Sequence, residues 1–359
     1  MSNNRLFLDI HVIQAVPPSN INRDDTGSPK TAQYGGARRA RVSSQAWKKA
    51  VRDYFNENGV RDNVGVRTLM APQYVAEEII RQDPDIPQDK ALQMAEKAME
   101  AAGIKTQEGR TKALFFIGSI QAKALAREAL RGTEDKKTLQ AILKDNPAVD
   151  IALFGRMVAD DPSLNEDASA QVAHAISTHA VQTEFDFFTA VDDLQPEDNA
   201  GAGMLGTIEF QSSTMYRYAN VAMHELYRQL GNKEQTLNAL KLFIEAFANS
   251  MPTGKANTFA NQTLPQAILV TVRGDRPVSL VSAFEDPVKS SEGYTRESTE
   301  RLFRELKRAG KFAREPLVTL YVTNRDVDDA GIGEEAEDLP ALLDRFYAAA
   351  DGLLTEKAE

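Results

Sequence analysis

The chain has 359 residues, a formal net charge of −10 and no cysteine. Without cysteine it can form neither a disulfide bond nor a thiolate metal site, and it has no cysteine nucleophile, which suits a reducing compartment. No apolar run approaches the roughly 18 residues of a membrane-spanning helix, and the first residues, MSNNRLFLDI, lack the pattern of a signal peptide. We therefore expect a cytoplasmic protein of one large or two smaller domains, with no membrane contact.

The first predicted element is a strand over residues 6–16 (LFLDIHVIQAV), because aliphatic and β-branched residues dominate there and partly alternate. Pro17-Pro18 is expected to end it. Residues 19–42 contain Gly, Pro, Asn and Asp without a regular period, which predicts a long loop. A loop of that length in a compact domain is usually functional.

The next segment is predicted to be an amphipathic helix. Ser43 and Ser44 are good N-cap residues, and the apolar residues after them recur at helical spacing. The helix places one set of residues on its apolar face and another on its polar face: Trp47, Ala50, Val51, Tyr54 and Phe55 on the first, Gln45, Lys48, Lys49 and Arg52 on the second.

Positive charge concentrates in residues 23–52, which we call the basic strip. Eight Lys or Arg residues stand there against two acidic residues, Asp24 and Asp25, which gives a local charge of +6. An acidic protein with such a strip is expected to bind a polyanion, and nucleic acid is the commonest candidate. The alternative is a helix whose basic face is merely solvated, although such faces more often mix both signs.

Residues 67–145 are rich in helix-forming residues, with breaks at prolines and glycines. This pattern predicts a helical insertion with helices over 72–82, 88–102, 111–131 and 134–145. After it, a strand is predicted over 149–155 (VDIALFG). Over 171–181 the pattern is ambiguous and a strand is favoured.

Residues 182–213 combine an aromatic-rich half, a turn region with Pro, Gly and Asp, and the run MLGTIEF. Two extended segments around a tip are typical of a projecting β-hairpin. The hairpin carries more apolar surface than a free arm should show, so it either packs in a core or reaches a partner. Its apolar residues include Phe187, Phe188, Val191, Met204 and Leu205.

The remaining segment predicts strands over 215–223, 267–274, 277–284 and 316–322, and helices over 223–231, 233–250, 295–310 and 339–350. The complete order predicts an α+β fold with a sheet core. From Asp326 to Glu359 eleven acidic residues stand against Arg345 and Lys357, a local charge of −9. Opposite charges at the two ends permit head-to-tail contact between copies, and a solubilising acidic surface explains the charge equally well.

Common catalytic motifs are absent from the sequence, which has no G-x-G-x-x-G, Walker loop, H-E-x-x-H or G-x-S-x-G. His174 and His179 are five residues apart, a poor spacing for a shared metal on a strand or a helix. The pairs Asp24-Asp25 and Asp192-Asp193 are of a type that can hold Mg²⁺. Adjacent loop aspartates are more often turn and cap residues, so we expect no metal, no cofactor and no enzymatic activity.

Six motifs that occur in the same order resemble one known family: NRDD (22–25), GGARRARVSSQ (35–45), KK-x-x-R (48–52), DIALFGRM (150–157), AHAISTHAV (173–181) and FFTAVDDLQ (187–195). On these residues the chain is similar to the repeated backbone subunit of the type I-E CRISPR Cascade surveillance complex. The resemblance covers most of the chain and is weaker over 60–145 and past residue 285.

The resemblance implies an α+β fold: a modified RRM-like (ferredoxin-like) palm with a helical fingers insertion and a projecting thumb β-hairpin. It divides the chain into palm with basic loop and helix (1–59), fingers (60–147), palm (148–181), thumb (182–213), and palm with the C-terminal region (214–359). It also implies a non-catalytic RNA-binding subunit of an antiviral ribonucleoprotein that oligomerises head to tail along its guide. The implied partners are the CRISPR guide RNA, target DNA through the guide, other copies of the chain and other Cascade subunits.

Transferred residue by residue, the resemblance implies two sets of contacts. Guide phosphates and sugars would be bound by Arg23, Lys30, Arg41, Ser43, Gln45, Lys48, Lys49 and Arg52, with Met157 stacking on bases. The thumb would displace a base at intervals through Phe188, Thr189, Val191 and Leu205. The aromatic motif with which simple RRM proteins stack bases on their sheet is absent, so binding is expected on loops and thumb.

Two other functions remain open at this point. Related backbone subunits of other CRISPR types cut RNA with a loop aspartate, so a metal-dependent endoribonuclease using Asp24 or Asp25 is one alternative. A structural protein whose basic strip docks on an acidic protein surface is the other.

Overall fold

The computed structural model describes residues 5–58, 63–190 and 204–354. The first range forms β1 (Phe7–Ser19), β2 (Thr31–Tyr34), β3 (Ala37–Val42) and α1 (Ser44–Glu57). The second forms β4 (Gly65–Thr68), α2 (Ala71–Gln82), α3 (Gln88–Ala101), β5 (Thr106–Gln107), β6 (Arg110–Thr111), β7 (Phe115–Gly118), α4 (Ser119–Leu130), α5 (Lys136–Lys144), α6 (Val149–Phe154), β8 (Ala170–Val172), β9 (Ala175–Ser177) and β10 (Glu184–Ala190). The third forms β11 (Met204–Ala222), α7 (Met223–Leu230), α8 (Lys233–Asn249), α9 (Ala256–Phe259), β12 (Ala267–Arg273), α10 (Thr295–Ala309), β13 (Val318–Thr323), β14 (Glu334–Glu335) and α11 (Leu339–Leu353). Within these ranges no helix combines the length and hydropathy that a membrane span requires.

The main sheet has the order β14-β13-β12-β1-β11-β9-β3-β2, and β8 and β10 also pair with β11. The pairs are antiparallel except β13 with β14, so the sheet is mixed. The central strand β1 pairs with β11 from Phe7 to Val16, and its register shifts before Ser19. Pro17-Pro18 therefore lies in this irregularity and does not end the strand as predicted, because proline is tolerated where no ladder hydrogen bond is needed.

Strand β1 is buried on both faces, which explains its nearly continuous apolar sequence. Leu8, Ile10 and Val12 pack in a core with residues of α7, α8 and α11. Ile13 packs in a different core, with Phe303 of α10. Because successive side chains of a strand point to opposite faces of the sheet, neighbouring residues of β1 pack against helices on opposite sides.

Helices α2 to α5 enclose a further hydrophobic core of their own with β7. Small residues such as Ala95 and Ala126 are fully buried there, which lets the helices approach closely. The helices predicted in this region are confirmed, except that the one predicted from residue 111 begins only at Ser119. Phe115–Gly118 before it forms β7, which pairs with β4.

Three other predictions are wrong. Residues 31–42 are not a loop: β2 and β3 form a hairpin whose turn, Gly35-Gly36, has φ angles of 56° and 72°, as tight hairpin turns require. Residues 149–154 form α6 in place of a strand, and Gly155 ends this helix with a φ of 78°. Residues 277–284 contain only a 3-10 turn. The remaining elements predicted after residue 204 are confirmed within a few residues, except that the strand predicted from residue 215 already begins at Met204.

A buried polar network connects β1 and β11 to the segment after β12. The Tyr218 hydroxyl donates to Asp9 Oδ1 at 2.7 Å, and the Val278 N–H donates to Asp9 Oδ2 at 3.1 Å. Asp9 is fully buried. Burial raises the pKa of its carboxyl to about 7, and the two hydrogen bonds only partly offset this effect.

We expect the stability of the protein to fall as the pH rises from about 4 to about 7, since the folded state keeps the Asp9 proton that an unfolded carboxyl, with a pKa near 3.9, has lost. Between pH 5 and pH 8 the wild type should lose about 2–3 kcal/mol more stability than Asp9→Asn, whose amide does not titrate. Urea unfolding at the two pH values measures the difference. Parallel pH profiles for the two proteins would contradict a protonated Asp9 in the folded state.

Candidate nucleic-acid interface

Helix α1 forms as the sequence predicts. Ser43 is its N-cap, and Ser43 Oγ accepts the Ala46 N–H at 3.3 Å. The predicted apolar face is buried at Trp47, Ala50, Val51 and Phe55. The polar face is accessible, with Gln45 and Lys49 exposed and Lys48 and Arg52 half-buried.

This polar face forms one wall of an open groove of about 850 Å³. Other walls come from β4, from β7 with the residues before it, and from the segment that follows α6. The groove brings together five of the predicted RNA-binding residues, although they are distant in sequence: Gln45, Lys48, Lys49, Arg52 and Met157. The Met157 side chain is 82% exposed, so its flexible thioether is available to contact a flat apolar surface.

The other predicted phosphate contacts do not line this groove: Arg23, Lys30, Arg41 and Ser43. They belong to the loop and hairpin that precede α1. Arg41 Nε donates to the Thr31 carbonyl at 3.2 Å, and Arg41 Nη1 lies 3.3 Å from His174 Nδ1. The predicted contacts therefore fall into two groups, one in the groove and one before α1.

The three cations of α1 differ in their partners. Lys49 forms an exposed ion pair with Asp53, one turn away, at 2.7 Å. Arg52 forms a largely buried ion pair with Asp150 at 2.9 Å, and its guanidinium lies 4.4 Å from the centre of the Phe116 ring.

Lys48 pairs with no carboxylate in the described part of the chain, and burial lowers its pKa. Its ammonium lies 5.5 Å from the centre of the Phe154 ring. Among the α1 cations of the groove, Lys48 is the one without a neutralising partner.

Sequence reasoning missed two residues of this site: Asp150, the buried partner of Arg52, and Arg67, which lines the groove. Asp150 is fully buried; its Oδ1 accepts the Gly65 N–H at 2.8 Å, and its Oδ2 accepts from Arg52 Nε. Burial raises the pKa of Asp150, and the bond from Gly65 and the charge of Arg52 oppose that rise. The available signal was a single aspartate inside the apolar run VDIALFG. Arg67, on β4, is an exposed cation of the same groove.

Arg39 belongs to the basic strip in sequence but is a structural residue. It is fully buried and donates to the carbonyl groups of Tyr34, Ser177 and Phe284. Its guanidinium therefore fixes the β2–β3 hairpin against distant segments. The accessible charge of the strip is smaller than the sequence count indicates.

Asp24 acts as a turn residue in this structure. Its Oδ1 accepts the N–H groups of Thr26 and Ser28 and the Thr26 hydroxyl, the pattern typical of loop aspartates. These bonds lower the pKa of Asp24. Asp192-Asp193 lies outside the described residues, and within the described ranges no cluster of three or more His, Asp or Glu side chains is arranged to hold a metal.

Strand β10 and the start of β11 pair as the predicted hairpin, which we call the arm. Phe188 pairs with Gly206 and Thr189 with Leu205. A Cβ atom at Gly206 would overlap the Phe188 ring. Because glycine has no side chain, this ring can pack directly on the Gly206 backbone.

On the opposite face of β10, Phe185 and Phe187 are each 66% exposed. The resemblance assigned a role to Phe188 and none to Phe185 or Phe187. Val191, also predicted for this arm, lies outside the described residues.

Fold and groove together define a mixed α/β protein with a large sheet, a helical insertion, a basic groove and a two-stranded arm. The chain belongs to the CT1975-like protein family, whose model matches residues 8–345. A search of curated proteins finds no match.

Two solved structures agree with this assignment. A chain of a pre-nicking CRISPR RNA-guided surveillance complex is 34% identical, with a TM-score of 0.86 over 96% of this chain and 100% of that chain. A chain of a second CRISPR RNA-guided surveillance complex is 32% identical, with a TM-score of 0.66 over 96% and 99% of the two chains. The predicted resemblance is thus confirmed at the level of CRISPR surveillance-complex subunits.

Proposed function

We propose that this protein is the repeated backbone subunit of a type I-E Cascade complex, a non-catalytic protein that binds CRISPR guide RNA. In this proposal, copies of the chain oligomerise head to tail along the guide, together with other Cascade subunits. The protein holds the phosphates and leaves most bases free to pair with target DNA. The observation that carries the proposal is a single groove lined both by the exposed Met157 and by Lys48, which pairs with no carboxylate of the described residues.

We assign the parts of the chain accordingly. The main sheet is the palm, residues 60–147 are the fingers, and residues 182–213 are the thumb. Phosphates and sugars are bound by Arg23, Lys30, Arg41, Ser43, Gln45, Lys48, Lys49 and Arg52, and Met157 stacks on a base. The thumb displaces bases through Phe188, Thr189, Val191 and Leu205.

The pairing pattern of the groove supports different roles for its cations. A phosphate that approaches Lys48 gains a full counter-charge, because no carboxylate of the described residues neutralises this lysine. Arg52 already shares its charge with Asp150, so it contributes mainly the free edge of its guanidinium and a planar surface. Lys48 is therefore the strongest phosphate contact that α1 offers, and the exposed Arg67 on β4 is a second groove cation without a carboxylate partner in the described part of the chain.

The proposal is tested by the salt dependence of RNA binding. We expect the wild type to bind labelled single-stranded RNA with an affinity that falls steeply with salt, and Lys48→Ala to flatten the slope by about 0.7, the value for one phosphate contact. Fluorescence anisotropy across a salt series measures both slopes. Lys241→Ala is the matched control, since Lys241 pairs with Asp344 and does not line the groove. A wild type that does not bind RNA would contradict the function, and an unchanged slope in Lys48→Ala would contradict the role of Lys48.

A further inference from the structure

The segment between α8 and β12 has an unusual charge pattern. Between Glu245 and Arg273 the only charged residue is Lys255. It lies in the run TGKANTFANQ (253–262), among amide and hydroxyl side chains. Lys255 is exposed, and no ion pair in the described part of the chain involves it. Such a composition suits an anion-binding surface, in which one cation and several neutral hydrogen-bonding groups contact the anion.

The backbone of this segment is held in a strained form. Lys255 and Ala260, on either side of α9, have φ angles of 54° and 47°. Residues with a Cβ atom avoid this left-handed region. Such strain persists only where surrounding contacts impose it, and it clusters at ligand-binding sites.

Two contacts place the segment next to elements of the proposed RNA path. Gly254 lies against Ile21, which shortly precedes the basic strip, and a Cβ atom at Gly254 would overlap the Ile21 carbonyl. At the other end, the ring centroid of Phe259 lies 6.0 Å from that of Phe210, at the base of the arm. The segment therefore contacts both the chain just before the basic strip and the base of the arm, and the close approach at Gly254 restrains its backbone.

We propose that residues 253–262 form an additional contact for the ribose–phosphate backbone of the same single-stranded RNA. Lys255 binds a phosphate, and the neighbouring Asn257 and Thr258, both exposed, donate hydrogen bonds to the phosphate or the ribose. The left-handed backbone conformation of Lys255, just before α9, sets the direction of its side chain. This inference rests on the proposed function and adds a contact outside the basic strip.

The test compares Lys255→Ala with Ala260→Gly in the full chain, with a labelled oligouridylate as the probe. Loss of one phosphate contact should flatten the salt slope by about 0.7, which corresponds to roughly fivefold weaker binding at 0.1 M salt. Ala260→Gly relieves the same kind of backbone strain without removing a charge. It should therefore raise the melting temperature and leave the slope unchanged.

Lys255→Gly separates binding from structure, because it removes the strain and the charge together. A raised melting temperature with a flattened slope supports the proposal. A raised melting temperature with an unchanged slope, or an unchanged slope in Lys255→Ala while the wild type binds RNA, overturns this inference and leaves the proposed function intact. A wild type that fails to bind the probe at low salt overturns both.

Discussion

We expect Arg52→Ala to lower the free energy of unfolding by about 3–5 kcal/mol, as for other buried ion pairs that lose one partner. Without Arg52 the fully buried Asp150 carboxyl keeps the hydrogen bond from the Gly65 N–H and loses its counter-charge. The variant also loses the packing of the guanidinium on the Phe116 ring. Urea unfolding near pH 8 measures the effect.

Two comparisons make this prediction specific. Lys49→Ala removes an exposed ion pair from the same helix and should leave stability unchanged within error. The cost of Arg52→Ala should shrink at pH 5, because burial already raises the pKa of Asp150 and the charge of Arg52 opposes that rise. A loss of stability below about 1 kcal/mol would contradict a charged Asp150 in the folded wild type. A loss that is the same at both pH values would contradict a rise of the Asp150 pKa in the variant.

The Arg52–Asp150 pair also affects how binding experiments are interpreted. Because Arg52 connects α1 to α6 and β4, its replacement changes the shape of the groove as well as its charge. Replacement of Lys48 removes a charge without opening an ion pair. Lys48 variants therefore test the proposed RNA contact, and Arg52 variants test the groove wall that positions Lys48.

The part of the interface that the sequence predicts is helix α1, because this helix is long enough for its apolar residues to show a helical period. Fourteen residues of α1 repeat an apolar stripe often enough to identify both its buried and its polar face. The run VDIALFG is too short to show a period, so its apolar composition was read as a strand. The role of Asp150 was missed for the same reason, and because its partners Arg52 and Gly65 lie far away in the sequence.

The charge of the basic strip shows a second limit of sequence reasoning. Arg38 and Arg39 are adjacent and chemically identical, yet Arg38 is exposed and Arg39 is fully buried. Carbonyl groups of Ser177 and Phe284, distant in sequence, decide this difference by accepting the Arg39 hydrogen bonds. A count of charges therefore predicts a polyanion site without identifying the residues that are free to bind.

The arm is where we expect the largest loss of function without loss of stability. Phe185→Asp combined with Phe187→Asp should abolish assembly of the protein on guide RNA while leaving the melting temperature unchanged. Both rings are already mostly in water in the isolated chain, so folding does not depend on their burial. Covering one phenylalanine side chain stabilises a contact by about 1.5–3 kcal/mol, so the loss of two weakens assembly by about a hundredfold or more.

Size-exclusion chromatography of protein co-expressed with its guide RNA and partner genes measures this assembly. Phe312→Asp is the matched control, because Phe312 is 96% exposed in the turn that follows α10 and is not part of the arm. If both arm substitutions leave a large RNA-containing species intact, the exposed rings do not meet RNA or a neighbouring copy, and this face of β10 plays no part in assembly. If the melting temperature falls as well, these rings pack in the folded chain and the arm is part of its core. An intact monomer that no longer assembles identifies the exposed face of β10 as the surface that reaches a partner.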